Sequence, residues 1–218
     1  MKLFSIGKKD SKTVYEAEMD RKLMISTMGR DDSNADEYHH PYEPTPYTVL
    51  RRLAESGYIT GTSKVIDYGC GKGRVGFFLN YELGCRVTGV EYDERIFQQA
   101  VDNQRCYARK QSVEFVCQRA EVFEVGEADC FYFFNPFSVK ILMSVLGQLI
   151  ESYYENPRDM RLFFYYPSDD YVGYLMTVPE LNFLDEIDCR DLFGGKDDRE
   201  KILIFEVEGL GFGSGFDI

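Results

Sequence analysis

The chain has 218 residues, 44% of them hydrophobic and 15% aromatic, with 25 Lys and Arg against 37 Asp and Glu for a formal charge of −12. That content fills a core and excludes wholesale disorder, and the length suits one domain with at most an appendage. The negative surface repels phosphates and disfavours a dedicated nucleic-acid binder. No run of eighteen apolar residues is present to cross a membrane.

Residues 1–47 form a polar extension with a helix expected around "YEAEMDRKLMIS" and a loop over "RDDSNADEYHHPYEPTPY". The start, "MKLFSIGKKDSK", lacks the apolar stretch of a signal peptide, which predicts a soluble, cytoplasmic protein. His39 and His40 stand together in that loop with no Cys or carboxylate at ligand spacing, so an exposed pair is expected and no metal site, a catalytic base reaching the active site being the alternative. The loop is stiffened by proline and carries Tyr42 and Tyr47, which makes it a candidate lid, an extension packed on the sheet edge being the alternative. A helix follows over 47–56, and the main domain occupies 48–218.

From Lys64 onward short apolar runs alternate with helical patterns. Strands are predicted at 65–68, 86–92, 112–117, 128–134 and 161–166. Between them lie a helix over 74–83 with Val75, Phe78, Leu79 and Leu83 on one face, and a second over 93–110 capped by Asp93. A third helix is capped by Ser138 and striped by Leu142, Val145, Leu146 and Leu149. This alternation means parallel crossovers and a sheet covered on both faces. The last two runs, at 182–190 and 201–209, are only a hairpin apart, so the final strand is expected to be antiparallel. The fold class is α/β: a Rossmann-like, seven-stranded mixed sheet, mostly parallel, with an antiparallel C-terminal strand and helices on both faces. Six scattered cysteines without a Cys-x-x-Cys pair read as buried free thiols of a reducing compartment.

Chemistry concentrates in "VIDYGCGKGRVGFFL" at 65–79. A glycine-rich turn between a strand and a helix lets a ligand approach backbone N–H groups at the positive end of a helix dipole. "GKGRVG" fits the dinucleotide fingerprint G-x-G-x-x-G, with Glu91 downstream where a ribose-binding acid would stand. The longer string from Asp67 through Gly69 and Gly71 to Gly73 reads acid-x-G-x-G-x-G. A carboxylate at that position serves a pyrophosphate poorly and a cation well.

This string resembles the first motif of the class I methyltransferases that use S-adenosylmethionine. The resemblance covers residues 60–207. It implies that the turn of Gly69, Cys70, Gly71 and Gly73 passes under the methionine part of the cofactor while Asp67 orders its ammonium group. It further implies that Glu91 accepts both ribose hydroxyls, that Tyr92 lies against the adenine, and that Ala120 and Glu121 contact the adenine edge. Arg119 stands where the family commonly has an acid, so the partner of the adenine amino group stays open at this point.

"FYFFNPFS" ends the fourth strand with Asn135, Pro136 and Phe137. It is similar to the Asn-Pro-Pro-aromatic motif of methyltransferases acting on planar nitrogens, with the second proline missing. The resemblance implies a catalytic role for these residues, Asn135 also lying near the cofactor; the alternative is a plain turn after a strand. The expected partner is a small-molecule or protein methyl acceptor rather than nucleic acid, with no membrane. An oxidoreductase using NAD on the glycine turn, or a ligand-binding protein without catalysis, are the rival readings.

Overall fold

The structure is a computed structural model that describes residues 11–32, 42–109 and 112–210. Helices α1 (Ser11–Leu23) and α2 (Tyr47–Glu55) precede β1 (Lys64–Tyr68), α3 (Arg74–Leu83), β2 (Arg86–Glu91), α4 (Glu94–Cys106) and β3 (Val113–Cys117). Then come β4 (Cys130–Phe133), α5 (Val139–Glu155), β5 (Arg161–Tyr165), α6 (Asp169–Leu175), β6 (Leu181–Asp188) and β7 (Lys201–Val207). Short 3-10 turns lie at Ala120–Val122 and Arg190–Phe193. His39, His40, the expected end of the second main-domain helix at Lys110, and most of the glycine-rich tail lie outside the described residues.

The strands form one seven-stranded sheet in the order β3-β2-β1-β4-β5-β7-β6. β1 to β5 pair in parallel, and β7 runs antiparallel to both β5 and β6, as the hairpin spacing required. The order reverses between β1 and β4. In open sheets of this kind, the carboxyl ends of the strands at the reversal leave a crevice for ligands.

Alternation along the strands divides the core between the two faces. Val65, Tyr132 and Phe163 pack with Leu50, Leu53, Phe77 and Phe78, while Ile66, Phe131, Phe133 and Phe164 pack with Leu142, Val145, Leu146 and Leu149 of α5. Met19, Leu23 and Ile25 join the first of these clusters, so the N-terminal extension shares the core of the sheet. That sharing changes α3. Its expected one-sided stripe becomes burial of every residue from Arg74 to Asn80, because α1 and α2 cover the side that a surface helix would expose.

Three local expectations meet a different structure. Helix α4 stops at Cys106, because Tyr107 leaves the helix to bury its ring and donate its hydroxyl to the Phe77 carbonyl at 2.9 Å. Ser138 stands at the N-cap of α5, yet its hydroxyl is buried with no hydrogen-bond partner among the described residues. Cys106 and Cys117 are exposed rather than buried, while Cys70, Cys85, Cys130 and Cys189 are buried, all as free thiols. Asp93 does cap α4, accepting from the Arg95 and Ile96 amides.

Candidate active site

Asp67 stands in β1 opposite Tyr132 of β4, on the face covered by α3. It is 3% exposed, and its Oδ2 has no hydrogen-bond partner among the described residues. Burial, reinforced by the nearby Glu91 carboxylate, pushes its pKa up to about 8. A buried carboxylate with an idle oxygen is costly unless something else satisfies it. The Asp67 Oδ2 is thus left without a partner among the described residues, in a side chain that lines the cleft.

The turn behind it is pinned to β2 by the Gly69 and Cys70 amides, which donate to the Val90 carbonyl at 2.9 and 3.1 Å. Gly69, Gly71 and Gly73 hold φ of 72, 56 and 86°, in the left-handed region that favours glycine. The clearance they provide is taken by the protein's own side chains. A Cβ on Gly69 would lie 2.3 Å from Pro136 Cβ, one on Gly71 would lie 2.2 Å from Tyr42 Cε2, and one on Gly73 would lie 2.4 Å from Phe115 Cζ.

Glu91 ends β2 and is buried. Its Oε2 accepts the Gly71 amide at 3.0 Å and its Oε1 the Asp93 amide at 2.9 Å. Burial raises its carboxyl above the usual range, and those two amides oppose the rise. Each oxygen keeps a further lone pair for a hydroxyl donor. Tyr92, Ile96, Gln118, Arg119, Ala120 and Glu121 continue the wall of the cleft. Arg119 pairs with Glu121 at 2.9 Å and is itself exposed, so Glu121 is the better-buried of the two.

The fourth-strand edge closes the other side with Tyr132, Phe134, Pro136 and Phe137. Asn135 is set back from that wall. Its Nδ2 donates to the Tyr166 carbonyl at 2.5 Å and its Oδ1 accepts the Ser168 amide at 3.2 Å. Phe137 is buried, and its carbonyl accepts the Tyr171 hydroxyl at 2.6 Å.

The cleft thus brings together Asp67, Gly69, Cys70, Glu91, Tyr92, Ala120, Glu121, Pro136 and Phe137, and sets back Gly71, Gly73 and Asn135. Sequence reasoning missed Arg74 and Thr45, which also line it. Arg74 opens α3, where the helix dipole opposes a cation. It is 3% exposed and pairs with Glu16 and Asp20 of α1. It also donates to Thr27 Oγ1 at 2.7 Å and to the Thr45 carbonyl at 3.2 Å. Thr45 Oγ1 lies 3.1 Å from Tyr132 Oη. Nothing in the sequence marked Arg74, because its burial depends on α1 and α2 covering α3.

Residues 65–152 match the family described as a methyltransferase domain. Over these residues, from β1 to α5, the chain is similar to a methyltransferase domain. A protein-lysine N-methyltransferase of Saccharolobus islandicus (strain REY15A) is 33% identical over 66 residues, which are 30% of this chain and 41% of that protein. The match therefore spans about two fifths of that relative's length. Among solved structures, an RNA methyltransferase of Salinibacter ruber in complex with S-adenosyl-L-homocysteine shares the fold, with a TM-score of 0.51, 20% identity, and coverage of 77% of this chain and 95% of that one. An rRNA methylase of Streptococcus thermophilus superposes with a TM-score of 0.53 and 12% identity over 77% and 98% of the two chains.

The residues of the cleft fit S-adenosylmethionine. Asp67 Oδ2 has no partner among the described residues and suits a cation, and Glu91 keeps acceptor capacity that suits ribose hydroxyls. Among the described residues, no group of three His, Cys, Asp or Glu side chains is placed to hold a metal ion. No helix among them is long and apolar enough to cross a membrane.

Proposed function

We propose that the protein transfers a methyl group from S-adenosylmethionine to a nitrogen or other nucleophile of a small molecule or protein. The observation that carries the reading is the buried Asp67 carboxylate with an oxygen left open in the cleft. A phosphate there would meet a like charge, whereas an ammonium or sulfonium would neutralise it. When bound, the donor supplies a methyl carbon on a positively charged sulfur, open to in-line attack.

The chain's residues orient and desolvate. Asp67 would hold the donor's ammonium, and Glu91 its ribose while keeping the Gly71 amide in place. Glu121 and Ala120 would border the adenine, with Tyr92 against its face. Tyr132, Phe134, Pro136 and Phe137 form the wall on the acceptor side, and their apolar surfaces would keep water from the reacting centre. Pro136 is packed on Gly69, which fixes this wall to the donor turn. Asn135 reaches the acceptor only by leaving Tyr166 and Ser168; where it sits, it holds the β5–α6 turn against the site.

The charge of −12 and the protein-lysine activity in the name of the S. islandicus relative favour a basic amine of a protein or small molecule over a nucleic acid as acceptor. The buried free thiols fit a reducing, cytoplasmic setting. Calorimetry with S-adenosylmethionine, S-adenosylhomocysteine and NAD tests the donor reading: binding of the first two and not the third is expected, and the reverse pattern would overturn it. Radiolabelled donor incubated with fractionated cell extract identifies the acceptor.

A further inference from the structure

The methyltransferase match begins at residue 65, yet the space over its glycine turn is shaped from upstream. Tyr42 lays its ring on Gly71, where a Cβ would lie 2.2 Å from Cε2 and 2.3 Å from Cδ2. The ring lines the cleft together with Asp67 and Cys70.

Tyr42 is held on several sides. Its hydroxyl donates to the Thr27 carbonyl at 2.6 Å. Its backbone exchanges two hydrogen bonds with Asp31, each 3.0 Å long. Both anchors are tied in turn to the methyltransferase domain: Thr27 accepts from the buried Arg74, and Asp31 pairs with Arg95 of α4 at 2.6 Å. Lys72, from the glycine turn itself, places its ammonium 4.8 Å from the Tyr42 ring centre. A ring fixed in this way meets a ligand without a further ordering cost.

We propose that Tyr42 is a binding residue for the methyl donor, its ring forming the wall against which the amino-acid end of the donor is held beside Asp67. The inference rests on the S-adenosylmethionine reading above. The amino-acid end is an aliphatic chain carrying an ammonium, next to a sulfonium. An aromatic face offers it apolar contact and a favourable quadrupole. Gly71 is glycine so that the Cδ2–Cε2 edge of this ring reaches the backbone of the turn.

Calorimetry on the full chain with S-adenosylhomocysteine and 5′-methylthioadenosine, which lacks the amino-acid end, tests the proposal. Tyr42→Phe keeps the ring and should bind both ligands within about threefold of the parent. Tyr42→Ala should weaken S-adenosylhomocysteine about tenfold or more and 5′-methylthioadenosine by less than about threefold. Unchanged affinity for S-adenosylhomocysteine in folded Tyr42→Ala, or equal losses for both ligands, would overturn it. If Tyr42→Ala shows no cooperative melt, Tyr42→Leu keeps apolar volume on Gly71 and should show the same selective loss in smaller measure; equal losses there overturn it as well. A parent protein that binds neither ligand would instead refute the donor reading, which separates the two failures.

Discussion

Asn135 and Tyr166 both hold positive φ, 39 and 50°, and the Asn135 carboxamide donates to the Tyr166 carbonyl at 2.5 Å. The same side chain accepts the Ser168 amide, so the end of β4 and the turn after β5 form one unit. Asn135→Ala removes both bonds and places alanine in a left-handed backbone. Each hydrogen bond contributes about 1 kcal/mol and the backbone about 1 more, for a melting point lower by about 5–10 °C. Donor affinity should stay within about threefold. A drop of about two orders of magnitude in turnover at an unchanged melting point would instead show that the side chain leaves Tyr166 to meet the acceptor.

Glu91 joins the two turns that frame the cleft. Glu91→Ala should weaken S-adenosylhomocysteine binding at least about tenfold, because a charged acceptor of two hydroxyls is lost. It should also lower the melting point by several degrees, since the Gly71 and Asp93 amides lose their partner. Glu91→Gln keeps one acceptor oxygen and should fall between. Titration calorimetry and thermal melts on the same three proteins check both effects, and an affinity unchanged in Glu91→Ala removes Glu91 from the donor site.

Asp67 makes the ligand-free protein sensitive to pH in a defined direction. Its folded pKa, about 8, lies above its ordinary value of 3.8. Between those values the folded state holds more protons than the unfolded state, so stability falls as pH rises and levels off above 8. Glu91 is shifted in the same direction. Donor binding needs the carboxylate, so affinity should rise with pH up to about 8, with close to one proton released at pH 7. Asp67→Asn should flatten the affinity profile and remove its share of the stability slope. Calorimetry in buffers of different ionisation enthalpy reads the proton, and no proton release in the parent protein contradicts the assignment.

Arg74 is a buried cation whose partners Glu16 and Asp20 come from another helix. Arg74→Met leaves both acids without it and should cost about 3–5 kcal/mol. Arg74→Lys should recover only part of that, since one ammonium cannot reach Thr27, Glu16 and Thr45 at once. Chemical denaturation measures both. A loss below about 1 kcal/mol for Arg74→Met would show that the clasp contributes little.

Much of this molecule was legible in the chain because its determinants are local. Hydrophobic period distinguishes strand from helix, so β1 to β7, α3 and α5 stand in the sequence with boundaries moved by few residues. Asp93 announces the start of α4, and the short gap before β7 dictates its antiparallel direction. Asp67 beside a glycine turn is the local pattern from which a cationic donor is proposed, because a buried acid and a bare backbone have few other uses together.

What escaped the sequence depends on segments distant along the chain. The same glycines that suggest a ligand also admit Tyr42, Pro136 and Phe115, and only the packed structure shows which neighbour fills which space. Asn135 reads as an acceptor clamp from its motif, but its carboxamide is engaged by a turn 31 residues later. Arg74 looks like an ordinary surface residue of a first turn until α1 covers it with Glu16 and Asp20. Local pattern fixes the elements. Long-range contacts alone decide which side chains are free to serve the site, because hydrogen bonds and buried charge are satisfied by whatever the fold brings near.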